Sequence, residues 1–214
     1  MIVHVCERAA KSGAAAVHVA TDDERIAHAV EAAGFAAVMT SADHASGTDR
    51  LAEAAKKLRL KDHDVVVNVQ GDEPLIAPKL ITQVARILDT NRAASVSTAC
   101  HPIHDAAAAA NPNVVKVVLD AAGYALYFSR SQIPFPRAPA AAACYRHAGI
   151  YGYWVGFLKK FARLKPAPLE KAEALEQLRV LWHGYRIAVA VSKAEIPPGV
   201  DTPQDLEAVR KILV

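Results

Sequence analysis

The chain has 214 residues, 52% of them hydrophobic and 22% charged, which is too apolar for a disordered or collagen-like chain and enough to bury a sizeable core. A formal net charge of +3 argues for neither a nucleic-acid nor a membrane partner. Cys6, Cys100 and Cys144 are odd in number, far apart and without CxxC spacing, which points away from a disulfide framework or a zinc site and fits a reducing cytosol. No signal-like segment opens the chain and no apolar run nears the roughly 18 residues that span a bilayer, so a soluble intracellular protein is the expectation.

Helix and strand signals alternate from the start. Ile2, Val5, Cys6, Ala9 and Ala10 recur at helical spacing, with Gly13 at a left-handed C-cap. Residues 16–20 read as a short strand, Asp22 or Asp23 then caps a helix carrying Ile26, Ala29, Val30 and Ala33 up to Gly34, and residues 35–39 form another strand. A hydroxyl-rich loop over 40–50 leads into a helix with Leu51, Ala54, Ala55 and Leu58 on one face. Residues 65–69 are an apolar, β-branched run, as in a central strand covered on both faces. Pro78 opens a helix with Leu80, Val84, Ile87 and Leu88 as its buried stripe, and 94–100 make one more strand.

After the alanine tract 106–110, residues 114–119 and 124–128 read as a hairpin, an antiparallel insertion spanning approximately 114–154 within a single domain over 1–214. Residues 131–145 are rich in proline and alanine and read as a surface arm that reaches a neighbour or closes over the site. Residues 147–153 are strand-like, 169–181 have helical spacing, and 187–191 form a late strand. Thr202-Pro203-Gln204-Asp205 opens a last helix with a hydroxyl N-cap, proline at its first position and an acid at its third. The alternation predicts an α/β fold with a mostly parallel, Rossmann-like central sheet flanked by helices.

The chemistry gathers where strand 65–69 ends, at Gln70-Gly71-Asp72-Glu73-Pro74. Gly71 permits a sharp turn and Pro74 stops the strand. Ligands of open α/β sheets bind past the carboxyl ends of strands, where Asp72 and Glu73 could hold a cation and a phosphate; an acidic solvated turn has the same composition.

Six stretches together closely resemble the CMP-Kdo synthetases (3-deoxy-manno-octulosonate cytidylyltransferases), and they follow that family's order along nearly the whole chain. They are Ser46-Gly47-Thr48-Asp49-Arg50, Asn68-Val69-Gln70-Gly71-Asp72-Glu73-Pro74, Tyr124-Ala125-Leu126-Tyr127-Phe128-Ser129-Arg130, His147-Ala148-Gly149-Ile150-Tyr151-Gly152-Tyr153, Leu175-Glu176-Gln177-Leu178-Arg179 and Gly199-Val200-Asp201-Thr202-Pro203. The resemblance implies a nucleotide-diphospho-sugar transferase-like fold in a cytoplasmic homodimer. It also implies an enzyme that joins CTP and Kdo into CMP-Kdo and pyrophosphate for lipopolysaccharide biosynthesis, with Mg2+ as cofactor and no nucleic-acid or membrane partner.

Carried over by motif, the resemblance makes Asp72 and Asp201 the catalytic magnesium ligands, and hard carboxylate oxygens suit that ion. It places Gln70, Arg130, His147, Tyr151, Glu176 and Gln177 around Kdo, with the Arg130 guanidinium as partner of the sugar carboxylate. It sets Ser46, Gly47, Thr48 and Arg50 on the cytidine side. Read without the resemblance, Asp201 serves equally as part of a helix cap, His147, Tyr151 and Tyr153 as packed core, and Ser46 to Arg50 as a solvated loop. On a helix, Glu176 and Gln177 point about 100° apart.

The family's opening strand and its basic triphosphate-binding loop have no counterpart here, and the arm over 131–146 is shorter and carries Ala140 to Ala143 where the family has polar residues. The expected consequence is a sheet without its first central strand, with neighbouring strand edges unpaired. An impaired or non-catalytic homologue that folds, dimerises or binds ligand, and a related sugar nucleotidyltransferase or metal-dependent glycosyltransferase, are the alternatives.

Overall fold

The computed structural model of the chain describes residues 1–44, 46–137, 143–197 and 199–213. Its first half builds from helices capped by their own sequence. In α1 (Ile2–Ala10), Val5 and Cys6 are buried, and Gly13 follows at φ +79°. The parallel strands β1 (His18–Thr21) and β2 (Ala36–Met39) flank α2 (Glu24–Ala32), whose N-cap Asp23 accepts from the Arg25 N–H. Ile26 of the expected buried stripe is 38% exposed, while Ala27 and Val30 are buried. The loop expected over 40–50 is shorter: α3 (Gly47–Lys57) already begins at Gly47, because the Ser46 hydroxyl caps it by accepting from the Asp49 N–H.

A second sheet of six strands holds β3 (Val65–Asn68), β4 (Val96–Pro102), β5 (Lys116–Leu119), β6 (Ala125–Ser129), β7 (Tyr145–Trp154) and β8 (Ile187–Val191). β4 pairs with β8 in parallel, and β7 runs antiparallel to β3, β4 and β5. The sheet is therefore mixed, with β3, β4 and β8 pointing one way and β7 reversed between β3 and β4. The hairpin β5–β6 joins this sheet through the first residues of β7.

Helices cover both faces. On one, α4 (Pro78–Thr90) lies over β3, β4, β7 and β8, with α1 between α4 and α2; on the other, α6 (Val155–Phe161) packs on β7 and beside α3. The main core gathers Val96, Cys100, Val117, Phe128, Tyr153, Phe157, Leu158, Leu178 and Ile187, and a second cluster under α4 holds Ile81, Val84, Ala99 and Ile150. The short α5 (Ala106–Ala110) is capped by Asp105, and α9 (Pro203–Leu213) opens with reciprocal bonds between Thr202 and Asp205.

Two expectations are corrected. β3 ends at Asn68 and is only half-buried: Val66 packs on the main core and Val65 and Val67 on the clusters under α4, so both faces are covered, but among the described residues it pairs on one side only, with β7, and is an edge strand, not a central one. Among the described residues β1 pairs only with β2, so the two sheets share no hydrogen bonds there and are bridged by α1 and α3, and the unpaired edges of β1 and β3 are as expected. The helical pattern over 169–181 is not one helix but α7 (Pro168–Glu173) and α8 (Leu178–Trp182), separated at Ala174 in the left-handed region (φ 51°). The arm's residues 138–142 lie outside the described residues. Among those described, no helix is long and apolar enough to cross a membrane.

Candidate active site

Asp72 follows β3 in a tight turn, and the loop 199–201 is laid onto it from the far end of the chain. The Val200 N–H donates to the Asp72 carbonyl at 2.8 Å. A Cβ at Gly199 would meet the Asp72 carbonyl oxygen at 3.4 Å, Glu73 Oε1 at 3.5 Å and the Asp72 carboxyl carbon at 3.6 Å, ordinary contact distances that show how near the two segments lie. Asp201 follows directly on this loop, near enough for its charge to act on Glu73. Burial pushes the Glu73 carboxyl up to about 7, with the charges of Asp72 and then Asp201 adding to the rise and Arg146 opposing it. Among the described residues no group of three or more His, Cys, Asp and Glu side chains forms a metal cluster. Carboxylates such as those of Asp72 and Asp201 are the donors that a magnesium ion takes, completing its shell with water and phosphate oxygens. A small cleft lined by Glu73, Arg146, His147 and Gly199 joins this acidic turn to β7.

On β7, His147, Tyr151 and Tyr153 share one face, their rings 5.4 and 6.1 Å apart in sequence, and Phe128 stands edge-on to His147 at 4.9 Å. The pairing with β4 skips Gly149 and Ile150, and Thr98 fills that irregularity: its hydroxyl lies 2.7 Å from the Ile150 carbonyl and 2.9 Å from His147 Nε2. With the hydroxyl proton given to Ile150, Nε2 carries the ring proton and donates to Thr98, leaving Nδ1 as the acceptor. Burial holds the His147 ring down to about 3, so it is neutral at physiological pH.

Glu176 and Gln177 lie in the break between α7 and α8, not on a helix as the spacing predicts. Thr48, in the first turn of α3, donates to Glu176 Oε2 at 2.6 Å. Burial raises the Tyr151 phenol well above its ordinary value, with Tyr153 and the Glu176 charge adding; burial also raises Tyr153, eased by Thr48 and reinforced by Glu176. Glu176 Oε1 and Gln177 Nε2 are buried without a hydrogen-bond partner, as is His101 Nε2. Unmatched acceptor and donor groups side by side are what a polyhydroxylated ligand satisfies.

The remaining candidates are placed differently. Gln70 is exposed beyond the end of β3. Arg130 directly follows β6 and gives its Nε–H to the Glu173 carbonyl at 2.7 Å and an Nη1–H to the Pro112 carbonyl at 3.1 Å. Arg50 pairs with Asp22 at 3.1 Å and bonds the Thr40 hydroxyl at 2.6 Å, and Ser46 and Gly47 form the start of α3. Thr98 and Glu173 carry no motif of their own and were not legible; Arg179, which supports this region by pairing with Glu170, closes the stretch Leu175 to Arg179 but has no role assigned by it; Lys116 had one signal, a lone charge inside the run Val114 to Val118.

An α/β sheet with acids just past a strand's carboxyl end, together with buried unmatched polar groups, fits a transferase of the sugar-nucleotide class. A family model described as cytidylyltransferase matches residues 1–187. The 3-deoxy-manno-octulosonate cytidylyltransferases of Verminephrobacter eiseniae and Acidovorax sp. strain JS42 are each 54% identical over the whole of this chain, covering 85% and 87% of their own lengths. A solved CMP:2-keto-3-deoxy-manno-octonic acid synthetase complexed with CTP superposes with a TM-score of 0.93 at 45% identity, over 99% of this chain and 86% of that one. The chain belongs to the cytidylyltransferase family, among its 3-deoxy-manno-octulosonate members.

Proposed function

We infer that the chain transfers the cytidylyl group of CTP to Kdo. The observation that carries this reading is the loop 199–201 held on the acidic turn by the Val200 N–H to Asp72 carbonyl bond, together with the unmatched Glu176 and Gln177 groups. Asp72 and Asp201 would hold magnesium, which supplies charge neutralisation on the reacting phosphate when bound. Glu176, Gln177 and His147 Nδ1 take the sugar hydroxyls, while Arg130 keeps three unused guanidinium N–H groups for its carboxylate. A sugar hydroxyl oxygen then bonds to the α-phosphorus, the bond to the β-phosphate oxygen breaks, pyrophosphate leaves and the hydroxyl proton passes to water. Orientation of the two reactants is the chain's main contribution. Gln70 flanks the acidic turn on the sugar side, and Ser46, Gly47, Thr48 and Arg50 stand toward the nucleotide base.

We further propose that the enzyme works in the cytoplasm, for lipopolysaccharide biosynthesis, as a homodimer. Leu126 and Phe135, 61% and 81% exposed, supply apolar area for the dimer contact. Pyrophosphate release that needs CTP, Kdo and Mg2+ together, and that disappears in Asp72→Asn and Asp201→Asn, is the expected result; release that is indifferent to the sugar acid would overturn the reading. Among the described residues β1 and β3 each leave one edge without a strand partner, and one second reading is a homologue that binds Kdo without turnover. Calorimetric binding of Kdo with no pyrophosphate formed selects it.

A further inference from the structure

Lys116 is completely buried in β5, an expensive place for an ammonium group. Its three N–H groups go to three backbone carbonyls: Asn111 at 2.9 Å, Val114 at 2.6 Å, and Arg130. With all donors used, it has none left for a substrate. What it joins is informative. Asn111 and Val114 bracket Pro112, whose carbonyl accepts from the Arg130 guanidinium, and the third carbonyl is that of Arg130 itself. Lys116 therefore fixes both the backbone of Arg130 and the loop on which its side chain rests.

Glu173 holds the same residue from the opposite side. Its carboxylate accepts from the Ser129 hydroxyl at 2.7 Å and from the Arg130 N–H at 2.9 Å, and its carbonyl accepts from Arg130 Nε at 2.7 Å. Glu173 is also the last residue of α7, immediately before the break that presents Glu176 and Gln177. One clamp thus sets Arg130 relative to both.

We propose that Lys116 and Glu173 are positioning residues that aim the Arg130 guanidinium at the carboxylate of the sugar acid, an inference that rests on the reading of Arg130 given above. Neither touches substrate; both act through Arg130. Lys116→Met keeps the length of the side chain and removes the three donors.

The test is a double-mutant cycle on Lys116→Met and Arg130→Ala, read as the affinity for Kdo by calorimetry and as KM and kcat where turnover is measured. Lys116→Met is expected to weaken Kdo about tenfold or more, to leave CTP within about twofold, and to add less than about twofold in the Arg130→Ala background. Where Lys116→Met does not fold, Glu173→Gln takes its place in the same cycle with the same expectation. Weakening of CTP equal to that of Kdo, or effects that multiply in full in the double variant, would overturn the clamp. A normal Kdo affinity in folded Lys116→Met beside a weakened Arg130→Ala would overturn it alone, whereas a normal Kdo affinity in Arg130→Ala would overturn the reading of the site and the proposal with it.

Discussion

Gly152 lies in β7 opposite Ser97 of β4, on the face that meets α4, and the strand can approach that helix only because residue 152 has no side chain. A Cβ there would stand 2.3 Å from Ser97 Oγ and 3.2 Å from both Cγ1 and the carbonyl oxygen of Val84. The hydroxyl cannot simply turn away, since Ser97 is fully buried and donates to that same carbonyl at 2.7 Å. Displacing it leaves a buried hydroxyl unmatched, at about 1–3 kcal/mol. Crowding against the Val84 carbonyl, which is helix backbone, adds about 1–3 kcal/mol more. Gly152→Ala is thus expected to destabilise by about 4 kcal/mol, or roughly 8–16 °C in melting temperature for a chain of this size. Ser97→Ala removes the nearest contact and the stranded hydroxyl together, so the double variant should recover about half of the loss. Urea unfolding of the four proteins measures the cycle. A Gly152→Ala protein within about 0.5 kcal/mol of the parent, or single costs that merely add in the double variant, would show that the strand yields and that the argument from close approach is wrong.

Three further outcomes follow from the site. His147 refuses in the folded state, where burial holds it to about 3, a proton that the unfolded chain takes near 6.5. Its contribution to stability is complete above about pH 6.5 and is lost as pH falls toward 3, by up to about 1.4 kcal/mol per unit; urea unfolding between pH 7 and pH 5 should show a shallower pH dependence in His147→Gln. Arg179→Met strands Glu170, its partner with side chains only 11% and 12% exposed, and should cost about 3–5 kcal/mol, largely restored by adding Glu170→Leu. Thr48→Val removes the donor to Glu176 Oε2, whose other oxygen is already unmatched, so a loss of about 1–3 kcal/mol in unfolding free energy is expected, and calorimetry should show weaker Kdo binding.

Local signals in the sequence transferred well to the fold. Asp23, Pro78 and the pair Thr202 and Asp205 mark the helix starts where the structure has them, and residues 187–191 form the strand read there. The start of α3 was also written in the sequence, as Ser46 three residues before Asp49, but the surrounding hydroxyls read more strongly as a loop. Other features have no local signature. The stripe Leu169, Ala172, Leu175, Leu178 and Leu181 continues unbroken through the break at Ala174, a residue that carries no preference for the left-handed region it occupies. The reversal of β7 between β3 and β4 is a matter of long-range pairing, and an apolar strand looks the same in either direction. For the candidate site, the motifs name residues but carry no sign of their hydrogen-bond partners: Lys116 and Glu173 bond to Arg130, and Thr98 to His147.

The two faces of β7 explain why those supports matter. Gly152 and Ala148 turn toward α4, where Ser97 and Ala99 of β4 also point, and this face is closed by direct backbone and side-chain contact. Tyr151, Tyr153 and His147 occupy the other face with Thr98, Phe128 and Glu176. The irregularity at Gly149 and Ile150 adds two residues to β7, so side-chain alternation is preserved and His147 stays on the same face as the tyrosines. It also frees backbone carbonyls that a regular ladder would have occupied, and Thr98 answers one of them and the His147 ring with a single hydroxyl. A strand pinned on one face by glycine packing, and bent at a point where a side chain takes over the backbone's hydrogen bond, can hold an imidazole in one tautomer without any charged partner. On the proposed reading, such a neutral acceptor would meet sugar hydroxyls and leave the ligand's single formal charge to Arg130.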